Sequence, residues 1–229
     1  MNWWSHLDPE KLSIAPSLLG GDLGALSSEA ESVEAAGADL LHLDIMDGHF
    51  VPNLSFGPGV CAAISRSSSL PLDAHLMISN PGDLLEEYLR AGCHGITLHA
   101  EAVEDPLPLL REIRKLGGLP GLALNPDTEL PGEDFPWEEL DLLLIMSVFP
   151  GFCGQKFLPE VLEKAEKSRN LRESRGLNFA ISMDGGLGKE QAASCRAAGV
   201  DILVAASAVL GAEDRKSAIQ GIREASSGP

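Results

Sequence analysis

The feature of this chain that most restricts its fold is a repeated hand-over from helical pattern to apolar strand, marked each time by a glycine. Ala36-Gly37-Ala38-Asp39, Ala91-Gly92-Cys93-His94 and Ala198-Gly199-Val200-Asp201 all stand at such a junction. A glycine just past the last periodic residue is a helix-stopping signal, because it adopts the left-handed conformation at no steric cost. The three glycines lie 55 and 107 residues apart. These intervals are close to two and four repeats of a unit of roughly 27 residues.

Strand patterns occupy residues 12–18, 40–46, 72–78, 95–99, 121–125, 142–148, 179–183 and 202–206. Between and after them lie helical patterns over residues 23–36, 59–66, 81–91, 106–116, 137–140, 159–174, 189–198 and 214–225, of which 137–140 is poorly defined. Ser79-Asn80-Pro81 supplies a cap and an early proline for the third helix. Eight strands alternating with eight helical segments imply a parallel sheet covered by helices, most simply a single-domain (β/α)8 TIM barrel. An open doubly wound sheet is the alternative. One domain is expected over residues 1–229, with a short extension over about 1–11 and a frayed tail over about 226–229.

The second strand carries the chemistry. In Leu41 to Asn53, L-H-L-D-I-M-D-G-H-F-V-P-N, the side chains of His42, Asp44 and Met46 share one face, and Leu41, Leu43 and Ile45 share the other. Asp47-Gly48 then reads as a turn, which places the imidazole and carboxylate near the strand's carboxyl end. Strand three, L-D-A-H-L-M-I, repeats the device with Asp73, His75 and Met77, and strand seven ends in Met183-Asp184-Gly185-Gly186. Barrel strands all end on one rim, so His42, Asp44, His75 and Asp184 are candidates to converge there. Two imidazoles and two carboxylates suit one divalent metal ion, zinc, iron, manganese or cobalt, better than calcium or magnesium. Met46, Met77 and Met146 follow the inward alternation, either as core filling or as a soft, proton-free lining of the site.

Charge bears on the ligand. The formal net charge is −17, with 17 Lys and Arg against 34 Asp and Glu, which argues against nucleic acid or an anionic membrane surface as partner. An anionic substrate would be gripped by backbone N–H groups rather than by a basic cluster. Suitable turns follow strands six, seven and eight: Pro150-Gly151-Phe152-Cys153-Gly154, Asp184-Gly185-Gly186 and Ala205-Ala206-Ser207, with Lys156 the nearest cation. The four cysteines are scattered without C-x-x-C spacing, the amino-terminal residues lack a basic start and apolar core, and no apolar run reaches membrane-spanning length. A cytoplasmic protein with reduced thiols is expected.

The runs I-A-P-S-L-L at Ile14, L-H-L-D-I-M-D-G-H-F-V-P-N at Leu41, L-D-A-H-L-M-I at Leu72, L-H-A-E at Leu98, M-S-V-F-P-G-F-C-G-Q-K-F at Met146 and M-D-G-G at Met183 resemble the ribulose-phosphate 3-epimerase family from about residue 12 to 223. The resemblance implies an isomerase that interconverts D-ribulose 5-phosphate and D-xylulose 5-phosphate by inverting C3 through an enediolate. It implies Asp44 and Asp184 as the two proton carriers, and His42, Asp44, His75 and Asp184 as ligands of the metal. Ser17 and His75 are implied to touch the substrate, with Met46, Met77 and Met146 capping the intermediate. Gly151, Phe152, Cys153, Gly154, Gly185, Gly186, Ala206 and Ser207 are implied to hold its phosphate. His99 is shared with the family pattern but receives no role, and a strand-end hydrogen bonder is the preferred reading.

Family members are commonly oligomeric, so a homo-oligomer is expected. The chain departs from the family pattern at Cys153 and Ala206, where glycine is usual, and at Phe149, where a polar residue is common. The phosphate grip is expected to persist unless Cys153 or Ala206 requires a positive φ. A six-carbon ketose phosphate such as D-allulose 6-phosphate, another reaction on a phosphate-binding barrel, and a non-catalytic barrel are the competing readings.

Overall fold

In the computed structural model, which describes residue 8 and residues 10–227, eight strands run parallel: β1 (Ser13–Pro16), β2 (Leu41–Met46), β3 (Leu72–Met77), β4 (Gly95–His99), β5 (Leu119–Leu124), β6 (Leu142–Met146), β7 (Ala180–Asp184) and β8 (Ile202–Ala205). Each pairs with its neighbour in sequence from β2 to β8, and β8 pairs with β1. The remaining seam, β1 against β2, is joined by a parallel bridge between Ser17 and His42 and, lower down, by the Asp39 amide donating to the Ile14 carbonyl at 3.0 Å. The sheet is therefore a nearly closed (β/α)8 barrel, and its seam lies at the first residue of the predicted metal set. The helices are α1 (Leu26–Ala35), α2 (Pro58–Ser67), α3 (Leu85–Arg90), α4 (Leu107–Lys115), α5 (Leu162–Arg175), α6 (Lys189–Ala198), α7 (Ser207–Leu210) and α8 (Arg215–Ser226).

The glycine echo has one structural meaning at all three places. Gly37, Gly92 and Gly199 have φ of 93°, 95° and 96°. The amide that follows each reaches back to a carbonyl five residues earlier, Ala38 to Val33 at 3.0 Å, Cys93 to Tyr88 at 3.1 Å and Val200 to Cys195 at 3.0 Å. This is the Schellman turn, which ties off the helix carbonyls that have no partner within the helix. The next amide then enters the barrel: Asp39 donates to the Ile14 carbonyl, His94 to Leu72 and Asp201 to Ile181. Gly117 and Gly118 make the same turn without the preceding alanine, with Gly118 donating to Ile113 at 2.9 Å.

Alternation along the strands sorts the core into two layers. Outward aliphatics such as Leu43, Leu76, Ile96, Leu122, Ile181 and Leu203 pack with the helices, whereas Ala15, Leu40, Leu142, Ala180, Ile202 and Val204 fill the barrel floor. Parallel strands covered on both faces bury nearly every side chain, which is why polar His42, Asp44, Asp73, His75, Thr97 and His99 are all within a few per cent of full burial. A buried polar group must be hydrogen-bonded. The upper half of the barrel interior is accordingly a network rather than an apolar plug.

The expected helix after β5 is a single 3-10 turn, Trp137–Glu139, and the helix after β3 opens with another, Pro81–Leu84, whose cap residue Asn80 makes no side-chain capping bond. α7 was not expected, because four residues are too short for helical periodicity to show. The extension expected over about 1–11 falls largely outside the described residues, as do the last two residues of the expected tail. Ser226 is the last residue of α8.

Candidate active site

Four side chains from β2, β3 and β7 meet at the carboxyl end of the barrel. His42, Asp44, His75 and Asp184 each present one nitrogen or oxygen, and these four atoms all lie within 4.8 Å of one another. His75 Nδ1 is 3.1 Å from both Asp44 Oδ1 and His42 Nε2, and 4.0 Å from Asp184 Oδ2. His42 Nε2 is 3.5 Å from Asp44 Oδ1 and 3.9 Å from Asp184 Oδ2. Ligands about 2.0–2.2 Å from a tetrahedral ion stand roughly 3.4 Å apart, so this donor set fits a divalent cation in spacing and in chemistry.

Strand register sets up the meeting. Asp44 sits beside His75, and Met46 beside Met77, in the β2–β3 ladder, and Asp184 sits beside Met146 in the β6–β7 ladder. Asp73 accepts from His42 Nδ1 at 3.1 Å and from the Thr97 hydroxyl at 2.9 Å. Because a carboxylate only accepts, Nδ1 of His42 carries the hydrogen and Nε2 faces the cluster. Thr97 in turn needs Gly121 as its neighbour, since a Cβ there would lie 2.3 Å from the threonine oxygen. The Ser17 hydroxyl donates to Asp44 Oδ2, and Ser55 donates to the Asp44 carbonyl at 2.6 Å. Ser147 holds the far side, its one hydroxyl hydrogen shared between the carbonyls of Asp184 and Gly185, which lie 2.9 Å and 2.7 Å from the oxygen.

The two carboxylates titrate far apart. Burial pushes the Asp184 carboxyl up, the Asp44 charge adds to it, and the group reaches about 7. Burial also acts on Asp44, but the charge of His42 beside it outweighs burial and holds that carboxyl well below the usual range. His42 is opposed by burial, yet the carboxylates of Asp44 and Asp73 raise it well above an ordinary imidazole. Burial lowers His75 to about 4. Two ionised carboxylates within 4.8 Å of each other repel by at least about 3 kcal/mol at an effective dielectric of 20, enough to keep one protonated near neutrality. One ionised and one protonated carboxyl in the same site are a base and an acid ready for proton transfer.

Above the cluster opens a cavity of about 890 Å³, lined by Ser17, Asp44, Asp184 and the three methionines. The family model described as the ribulose-phosphate 3 epimerase family matches residues 13–210. A ribulose-phosphate 3-epimerase of Chlamydia pneumoniae is 46% identical over 200 residues, covering 86% of this chain and 87% of its own length. One of Bacillus subtilis is 41% identical over 213 residues, covering 93% and 98%. The chain belongs to the ribulose-phosphate 3-epimerase family. Orotidine 5'-phosphate decarboxylase from Pyrococcus horikoshii superposes with a TM-score of 0.64 at 14% identity, over 94% of this chain and all of that one, a likeness of fold alone.

Other residues that the epimerase resemblance singles out surround the cavity. Gly151, Phe152, Cys153, Gly154, Gly185, Gly186, Ala206 and Ser207 line its wall, together with Lys156 and Lys189. His42 and His75 are buried beneath that wall, at 1% and 0% exposure, and are not among its lining residues. Close backbone approach explains Gly185 and Gly186. A Cβ on Gly185 would stand 2.8 Å from the Val148 nitrogen, and one on Gly186 would stand 2.6 Å from both the Gln155 oxygen and the Phe157 nitrogen. Both have positive φ, 123° and 65°. Neither Cys153 nor Ala206 does, since no described residue other than glycine has positive φ. Neither of these two departures from the epimerase pattern therefore requires a positive φ.

Three parts of the site went unread in the sequence. Asp73 shares a face with His75 by alternation, but its bond to His42 depends on a neighbouring strand. Ser147 gave no signal, being one more residue after an apolar strand. His99 is the strand-end hydrogen bonder expected of it, but its partner Glu101 lies beyond the end of β4, where alternation no longer relates the two.

Proposed function

We propose that this chain interconverts D-ribulose 5-phosphate and D-xylulose 5-phosphate by inverting C3, with Asp44 and Asp184 exchanging the proton. Inversion next to a ketone removes a proton from one face and returns one to the other, so it needs a base and an acid that swap roles with direction. The observation that carries the proposal is the meeting, in one donor set whose ligand atoms lie within 4.8 Å of one another, of two carboxylates from opposite sides of the barrel, Asp44 on β2 and Asp184 on β7, with two imidazoles. His42, Asp44, His75 and Asp184 would hold one divalent metal, zinc, iron, manganese or cobalt. Such an ion supplies Lewis-acid stabilisation of the negative charge that forms on the substrate oxygens.

The chain's own groups do the rest. Ser17 keeps Asp44 oriented, the buried Asp73 keeps His42 in its ligating tautomer, and Met46, Met77 and Met146 line the reacting carbons with side chains that carry no exchangeable proton. The phosphate would rest against the glycine-rich turns after β6 and β7 and the start of α7. In a protein with net charge −17, backbone amides are the fitting grip.

A coupled assay of ribulose 5-phosphate turnover, run before chelation, after chelation and after metal return, tests the proposal, with D-allulose 6-phosphate as the parallel substrate. Turnover of the five-carbon sugar, lost on chelation and restored by the ion, is expected. Faster turnover of the six-carbon sugar, or full activity after exhaustive chelation, would contradict it.

A further inference from the structure

Beyond the donor set, a second chain of polar groups runs outward from His75. His75 Nε2 lies 2.9 Å from His99 Nε2, and His99 Nδ1 lies 2.9 Å from Glu101 Oε2. The two imidazoles stack with centroids 5.0 Å apart and planes 27° apart, and the Phe50 ring packs on His99 at 4.9 Å. His75 and His99 are each 0% exposed, so protein partners alone decide where their hydrogens sit. Glu101 ends the chain. Its Oε1 accepts from the Asn125 amide at 2.7 Å and from the Thr128 hydroxyl. Burial pushes the Glu101 carboxyl up, but the bonds from His99, Thr128 and Asn125 outweigh it and bring it down to about 2, so the group is an anion.

We propose that Glu101, acting through His99, is a positioning residue that holds His75 in the tautomer whose Nδ1 offers a lone pair to the metal. The hydrogen positions follow in order. Oε2 of Glu101 can only accept, so His99 carries its hydrogen on Nδ1. Nε2 of His99 is then a lone pair and accepts from Nε2–H of His75, which leaves Nδ1 of His75 bare and facing Asp44, Asp184 and His42. The proposal rests on the metal set above and deepens it. Metal-binding histidines owe their ligating nitrogen to what the other ring nitrogen meets. Here that partner is a second imidazole backed by a carboxylate two residues away.

The isosteric change Glu101→Gln makes the inference testable, because its orientation is forced. Two donors, from Asn125 and Thr128, converge on Oε1, so the new amide must turn its carbonyl to them and its NH2 to His99. A donor facing Nδ1 moves the His99 hydrogen to Nε2, which moves the His75 hydrogen to Nδ1, the atom that must ligate. Glu101→Ala leaves the end of the relay open to water, which can accept from His99. A merely structural glutamate would show the reverse order, with the shape-preserving Gln harmless and Ala costly.

The experiment is calorimetric titration of the metal-stripped full chain with Zn2+ and with Co2+, together with the visible spectrum of the Co2+ form. Glu101→Gln is expected to bind either ion about 10–100-fold more weakly than wild type, more weakly than Glu101→Ala, and with an altered Co2+ spectrum. In a His99→Leu background the Glu101→Gln change is expected to add nothing. Wild-type affinity and spectrum in Glu101→Gln, with binding lost in His75→Ala, would overturn the relay and leave the metal set standing. Undiminished binding in His75→Ala would overturn both.

Should Glu101→Gln fail to fold by circular dichroism, His99→Gln and His99→Leu carry the same test. A glutamine there offers its carbonyl to His75 and its NH2 to Glu101, and is expected to bind within a few-fold of wild type, while leucine loses the affinity. Equal affinities for the two would overturn the proposal.

Discussion

Asp184 carries the most exposed consequence of the site's electrostatics. Its carboxyl stands at about 7 in the folded protein against an ordinary value of 3.8. The folded state therefore keeps a proton that the unfolded chain has released, and stability falls as pH rises from about 4 to about 7, then levels off. In thermal melts of metal-stripped protein, wild type is expected to lose stability relative to Asp184→Asn across that interval, with no further divergence above it. A constant difference between the two melting curves would show that Asp184 is not proton-bound in the fold. Ser17 makes a second test. Its hydrogen bond to the Asp44 anion is of the kind worth about 1.5–3 kcal/mol, so Ser17→Ala is expected to lower kcat by roughly 10–100-fold, measured in the coupled assay. The four metal-set residues were legible in the sequence because alternation along a strand fixes the face of His42, Asp44 and His75, and the barrel brings the strand ends together. Asp73 and Glu101 were not, because their partners lie across the ladder or beyond a strand's end.

At the level of elements, the loops after β6, β7 and β8 decide how the cavity wall closes. Gly186 has φ of 65° and stands where a Cβ would meet two backbone atoms at 2.6 Å. Gly186→Ala is expected to cost at least about 1–3 kcal/mol of stability and to raise KM for the sugar phosphate, checked by melting temperature and steady-state kinetics. Cys153→Gly is a contrasting case. Since Cys153 already has negative φ, the substitution relieves no strain, and KM is expected to stay within a few-fold of wild type. A large gain in affinity would mean that the cysteine perturbs the grip after all. The strands and most helices were readable from periodicity and from the three Ala-Gly junctions. The short α7 and the 3-10 turns were not, since one turn of helix leaves no periodic trace.

For the whole molecule, the barrel's upper interior is polar and its seam between β1 and β2 has its upper bridge at His42, so a bound cation bears on stability as well as on chemistry. An ion that binds only the folded state at a hundred times its Kd adds about 2.7 kcal/mol. For a chain of this size that corresponds to about 5–10 °C in Tm. Chelation is expected to lower Tm by that order in differential scanning calorimetry, and an unchanged Tm would argue against a cation at the donor set. Neither the eight-fold alternation nor the net charge of −17 could show this coupling in advance. It depends on the seam coinciding with the site, a fact of three-dimensional closure.

The most direct test follows hydrogen at C3. When ribulose 5-phosphate is incubated in D2O and its C3 position read by NMR, the wild-type enzyme is expected to exchange deuterium readily. Asp44→Asn and Asp184→Asn are each expected to lose exchange by about 100-fold or more while still binding the sugar phosphate. Full exchange in both variants would contradict the two-carboxylate account.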